Sequence, residues 1–223
     1  MLGSARSVLM KGAGFPPPIA AYGLNENTGT TSIDSSGNGH TLTLNGTSWT
    51  TGYTGSGLTN TAATIGARSI FSAPATITAM AWIKPLDLTP GTTHFALGFV
   101  DTGGNTDVGI FTQRADFGTP DSLQCDLRIG ASLSAYNGGA VSVGTWVHVA
   151  ITYSGSTVVV YKNGIPVVSA SASGILSPSD AFYIAGWNGT SSYDTDVVVD
   201  DVRIFNTALT QTQVNAAMAT PVA

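Results

Sequence analysis

Between Asp34 and His40 the chain reads Asp-Ser-Ser-Gly-Asn-Gly-His, with oxygen-bearing side chains at Asp34, Ser36 and Asn38 and a glycine at position 39. This is the alternation of the first, third, fifth and sixth places of a calcium loop, which wraps hard oxygen ligands around an ion and bends at its glycine. The twelfth place falls on Asn45 and not on a glutamate. The bidentate carboxylate of an EF-hand is therefore missing, and a cation here needs a second carboxylate from elsewhere in the fold. The plainer alternative is a polar turn whose Asp and Asn side chains bond their own backbone. A second set of candidates is aromatic. Trp187, Asn188 and Tyr193, with Trp49 and Tyr53, lie in Gly/Ser/Asn-rich segments. Rings carried on loops can stack on a sugar face or a partner protein, although large aromatics in sandwiches more often fill the core.

Other chemistries find less support. Glycoside hydrolysis usually needs two carboxylic acids flanking the scissile bond, and Glu26 is the only glutamate in the chain. Asp194, Asp196, Asp200 and Asp201 read as loop and strand-end residues. His40, His94 and His148 form no ligand-spaced pair, and Cys125 stands alone, so neither a disulfide nor a thiolate zinc cage can form within the chain. Eight basic against thirteen acidic residues give a net charge of -5 and a pI near 4.8. That is too little positive charge to neutralise a run of phosphates, which argues against nucleic acid and anionic membranes as partners. No apolar run is long enough to insert in a membrane, and no secretory signal is read at the start. The Asn-Gly-Thr triplets at 45–47 and 188–190 match a glycosylation acceptor but matter only in a secretory pathway.

The elements that must position these residues are strands. Of the 223 residues, 43% are hydrophobic and only 9% charged, with 27 glycines and 10 prolines, the composition of a folded, neutral-polar domain. From Ile19 onward, short runs of Val, Ile, Thr, Trp and Tyr alternate with Gly, Asn, Ser and Pro clusters, which predicts an all-β sandwich. Thr157–Lys162 and Ile165–Ala170 flank Asn163-Gly164, the signature of a hairpin closed by a type I′ turn. Residues 146–153 are apolar on both alternations, as in a central strand covered on both faces. Further strands are expected at residues 76–84, 95–100, 108–113, 123–129, 181–185 and 197–205. One helix is signalled by Thr210-Gln-Thr-Gln213, the form of a capping box, with Leu209, Val214 and Met218 on one stripe against the sandwich edge. Residues 1–18 end in Phe-Pro-Pro-Pro and read as an extended arm, leaving residues 19–223 as one domain.

Three segments together resemble the laminin G-like jelly roll of the concanavalin A-like lectin/glucanase superfamily. They are Ala20–Glu26 with Asp34–His40, Thr145–Tyr153 with Tyr161–Gly164, and Asp200-Asp-Val-Arg-Ile-Phe205 running on to Leu209. The resemblance implies a two-sheet antiparallel jelly-roll sandwich whose first and last strands pair. It also implies a set of mostly non-catalytic binding and adhesion modules, many with calcium. It adds Asp200 and Asp201 to Asp34, Asn38 and His40 as the metal set, while Asn25, where many members have aspartate, departs from the pattern. The resulting expectation is a non-enzymatic structural or adhesion module of a bacteriophage particle, a minor tail protein or capsid decoration made in the host cytoplasm. Residues 1–18 would join it to other virion proteins, and a host glycan would be its ligand. Its neutral Thr- and Ala-rich faces suit homo-oligomers. The alternatives are a carbohydrate-binding module of a bacterial protein and, further off, a glucanase-like hydrolase.

Overall fold

The computed structural model describes residues 14–60, 65–114, 121–187 and 196–223. In chain order its strands begin with β1 (Ala20–Tyr22), β2 (Thr31–Ser32), β3 (Leu42–Thr43), β4 (Ser48–Thr51), β5 (Ser56–Asn60) and β6 (Ala67–Ser69). Then come β7 (Ile77–Pro85), β8 (His94–Val100), β9 (Thr106–Gln113), β10 (Ser122–Ile129) and β11 (Ser132–Ala140). The last are β12 (Val147–Tyr153), β13 (Thr157–Lys162), β14 (Ile165–Ser171), β15 (Ala181–Ile184) and β16 (Val197–Phe205), followed by helix α1 (Gln211–Met218). The first sheet runs β14-β13-β12-β7-β16-β5-β4, with β1 also on β16, and the second runs β11-β10-β9-β8-β15-β6-β3-β2. Every strand pair is antiparallel among the described residues. The architecture is the all-β jelly-roll sandwich with a short C-terminal helix.

Alternation decides which side chains meet between the sheets. Val147, Val149, Ile151 and Tyr153 of β12 point into the main core with Ala79, Ala81 and Ile83 of β7 and Val108 and Ile110 of β9. The intervening Ala150 points outward yet is buried, because a second core of Phe15, Met80, Tyr161, Phe205, Leu209, Val214 and Ala217 lies over it. This is why β12 is apolar on both alternations. The helix thus packs on the outer face of the first sheet and not at the sandwich edge. Thr210 and Gln213 form the capping box, Gln213 N donating to Thr210 Oγ1 and Thr210 N to Gln213 Oε1. The Asn163-Gly164 turn has φ of 51° and 75°, the two positive values that a type I′ turn requires.

The first and last strands do pair: Ala20, Ala21 and Tyr22 lie opposite Ile204, Arg203 and Val202. Packing begins earlier than Ile19. Phe15 is buried edge-on against Phe205, with centroids 6.0 Å apart, so the end of the expected arm is part of the fold; residues 1–13 lie outside the described residues. The chain pattern does not reveal β11, a Ser- and Gly-rich edge strand exposed along much of its length, whose burial gives alternation little to select.

Candidate functional site

The turn opening at Asp34 is built by its own carboxylate. Oδ1 accepts from Ala21 N at 3.0 Å and Ser36 N at 2.9 Å, and Oδ2 accepts from His40 N at 3.0 Å. Asn38 donates its amide to the Ile19 carbonyl and to Ser36 Oγ. His40 stacks on Phe71 with centroids 4.2 Å apart. Across the β1–β16 pairing, Asp201 ion-pairs with Arg203 at 2.6 Å and accepts from Val222 N, while Ser35 Oγ donates to the Ala223 carbonyl. The C-terminal residues therefore touch both the turn and Asp201. Asp200 faces elsewhere, accepting from Thr54 N at 2.9 Å and Asp201 N at 2.7 Å. A bulge between Asp200 and Arg203, with Asp201 at φ 49°, breaks the simple alternation there. Among the described residues no three His, Cys, Asp or Glu side chains converge on one point. As arranged, these carboxylates serve backbone N–H groups and an arginine, and do not fit an oxygen cage for a cation.

Of the expected ligand-stacking residues, Asn188 and Tyr193 lie outside the described residues. Trp187 is 3% exposed and packs edge-on against Phe95, with centroids 5.0 Å apart; its ring is a wall of a small core and presents no open face. Trp49 is half-buried and donates Nε1 to the Gly29 carbonyl. Tyr53 is different, being 47% exposed.

Tyr53 stands on the turn between β4 and β5, where Gly52 N donates to the Gly55 carbonyl at 3.0 Å. A Cβ at Gly52 would come within 2.3 Å of Ser56 O and 2.6 Å of Asp200 Oδ2, and one at Gly55, where φ is 68°, within 2.2 Å of Asn25 Oδ1. The two glycines let the turn close down onto Asp200, whose carboxylate holds Thr54. Burial pushes Asp200 up to about 6, against the opposing pull of the backbone N–H groups. So pinned, Tyr53 stacks on Trp82 with centroids 3.6 Å apart and planes 10° from parallel.

Trp82 lies opposite His148 of β12 and Asp200 of β16, and directly opposed residues share a face. That face looks away from the main core. The second core covers its neighbours Met80 and Ala150, leaving Trp82 half-exposed beneath Tyr53. Trp146, just before β12, meets Tyr53 edge-on at 5.8 Å, and Lys84 Nζ sits 5.0 Å from the Trp146 ring centre. Below them His148 is 1% exposed, edge-on to Trp82 at 5.3 Å, and neither ring nitrogen has a hydrogen-bond partner. Burial first, and the Arg203 charge second, push its pKa down to about 3; it is a neutral wall at ordinary pH. Between the same hairpin and the segment after β1, Asn25, Asn27, Thr50, Thr51, Gly55 and Ser56 line a hollow of about 320 Å³. An exposed aromatic stack beside hydroxyl and amide groups suits a ring ligand with one apolar face and polar edges. Sequence reading placed Tyr53 among its candidates but missed Trp82 and Trp146. The available signal was Lys84, two residues beyond Trp82, since a strand lysine marks the side that reaches solvent.

Two antiparallel sheets with paired first and last strands and a helix on the outer face define a lectin/glucanase-type sandwich. The chain belongs to a laminin G-like family of the concanavalin A-like lectin/glucanases superfamily, whose pattern matches residues 55–215. The Asp34 turn lies outside that stretch. Among solved structures, the binding domain of Paraclostridial Mosquitocidal Protein 1 is similar at TM-score 0.66 and 17% identity, over 89% of this chain and 51% of that one. Domain 4 of an extracellular arabinanase from Geobacillus stearothermophilus, in complex with arabinotriose, is similar at TM-score 0.64 and 24% identity, over 90% of this chain and 97% of that one. Trypanosoma rangeli sialidase in complex with sialic acid is similar at TM-score 0.65 and 15% identity, over 88% of this chain. The chain spans about half of the mosquitocidal binding domain and 32% of the sialidase. No curated protein matches the chain.

Proposed function

We propose that this domain is a non-enzymatic recognition module that binds a saccharide on the Tyr53–Trp82–Trp146 surface. The observation that carries the reading is Tyr53, 47% exposed yet held flat on Trp82 at 3.6 Å, a ring fixed in place and still open to solvent. Rigid, preplaced aromatics give up little entropy when a ligand settles on them. The arabinanase domain, matched along 97% of its length, is in complex with arabinotriose, which puts oligosaccharides first among probes. In support of a non-catalytic role, the Glu26 carboxylate accepts from Ser32 Oγ and Ile33 N and so serves a turn. Two further carboxylates, Asp107 and Asp126, are buried, each facing an arginine, Arg128 and Arg114. A glycan array that includes arabino-oligosaccharides tests the proposal. Binding by the parent that disappears in Tyr53→Ala at unchanged melting temperature is the expected result; an identical pattern for both proteins, or none for the parent, overturns it.

The setting proposed is the one read from the sequence, the surface of a bacteriophage particle, as a minor tail protein or capsid decoration joined to other virion proteins through the residues before Phe15. That part rests on the family resemblance and the Pro-rich segment read at the start of the chain. Electron micrographs of particles lacking the gene test it, and no missing density anywhere would refute it.

A further inference from the structure

Positive charge is scarce in this chain, eight basic residues in 223, and much of it is already engaged. Arg114, Arg128 and Arg203 face Asp126, Asp107 and Asp201, and Lys162 donates to the Ala140 carbonyl. Lys84 makes no hydrogen bond or ion pair among the described residues; its ammonium lies over the Trp146 ring. Asp200, two residues along β16 from the position opposite Lys84, is turned to Thr54 N and Asp201 N, and His148 beneath carries no charge. The ammonium and Tyr53 thus flank one ring, at 5.0 Å and 5.8 Å from its centre.

From this juxtaposition we infer that the ligand of the platform is an acidic saccharide, its ring lying on Tyr53 and its carboxylate held by Lys84. The inference rests on the glycan reading of the same surface. Stacking alone accepts any sugar with an apolar face, so the charge contact supplies the selection. Lysine does this as a point charge: its compact ammonium, on a flexible stem, closes onto a carboxylate without a fixed fork geometry. The net charge of -5 repels acidic ligands from the rest of the molecule, so binding that does occur must be local.

Isothermal titration with trigalacturonic acid and its neutral methyl ester separates the two steps, because the probes differ in charge and share their rings. The parent should bind the acid at least tenfold more tightly than the ester at low salt. Lys84→Gln should bring the two affinities together by weakening the acid alone, Lys84→Arg should keep the preference, and Tyr53→Ala should lose both probes, all at unchanged melting temperature. Equal affinities in the parent, or a preference that survives Lys84→Gln, overturn the acidic-ligand assignment and leave the platform standing. Failure of the parent to bind either probe overturns the acidic-ligand assignment, while the glycan array alone decides the platform.

Discussion

Replacing His148 by leucine should make the protein markedly more resistant to acid. The imidazole is 1% exposed and neither nitrogen has a partner, so its charged form is excluded from the native state and its pKa falls from 6.5 to about 3. The unfolded chain takes up this proton below pH 6.5 while the folded one does not, so stability is intact above that pH and drains away as pH falls towards 3. Each pH unit in that window costs 1.36 kcal/mol, so at pH 4.5, two units down, the histidine costs roughly 2.7 kcal/mol. Leucine has similar volume and nothing to protonate. At pH 7 the exchange should be neutral or stabilising by about 1 kcal/mol, because it removes unsatisfied buried nitrogens. Urea unfolding followed by tryptophan fluorescence, for both proteins at pH 7 and pH 4.5, measures the difference. A single pH curve is insufficient, because Asp107 works in the opposite sense: burial raises it to about 7, so its contribution is present at low pH and is lost as pH rises through 7. That contribution is common to both proteins and cancels between them. Equal losses for parent and variant from pH 7 to 4.5, within about 0.5 kcal/mol, would show that His148 is protonated or hydrated in the native state.

Four further outcomes follow from contacts already described. Asp34→Ala leaves the N–H groups of Ala21, Ser36 and His40 without their acceptor and should cost about 3 kcal/mol or more in urea unfolding. The melting temperature of the parent should ignore EDTA, whereas a drop of several degrees would reveal a bound ion. Arg203→Met strands the buried Asp201 carboxylate and releases the carbonyls of Ala217 and Thr220 at the end of α1; a loss of about 3–5 kcal/mol is expected, partly restored by adding Asp201→Asn. Trp187→Ala empties a site packed against Phe95 and should cost about 3–5 kcal/mol of stability, in contrast to Tyr53→Ala, which should leave melting unchanged.

The strands legible in the sequence are those whose composition and punctuation agree. Asn163-Gly164 admits one kind of turn, and β12 is buried throughout because the main core covers one face while the second core, which includes α1, covers Ala150 on the other. The pairing of β1 with β16 was also readable, though through the family resemblance and not from any local rule, since β1 is three residues long. What could not be read is what depends on coverage. Alternation gives the face of a residue and not what lies on that face, so the pattern alone puts the helix at an edge and Phe15 in a free arm, although Phe15 packs against Phe205.

Context has the same limit at the candidate site. Gly/Ser/Asn-rich context drew attention to Trp187, yet loop context does not determine exposure; Trp187 is paired with Phe95, an outward residue of β8 in a small separate core. Trp82 and Trp146 sit at a strand and a strand entrance, where sequence context favours burial. They become a surface because Asp200, across β16, holds a hairpin turn whose glycines allow Tyr53 to close over Trp82. Asp34 and Asp200, candidate ion ligands by sequence, accept from backbone N–H groups in the structure. A carboxylate in a turn looks alike in sequence whether it binds a cation or replaces one, since either way it supplies oxygens where the chain bends. Only the donors that reach it distinguish the two, and at Asp34 three backbone amides do so.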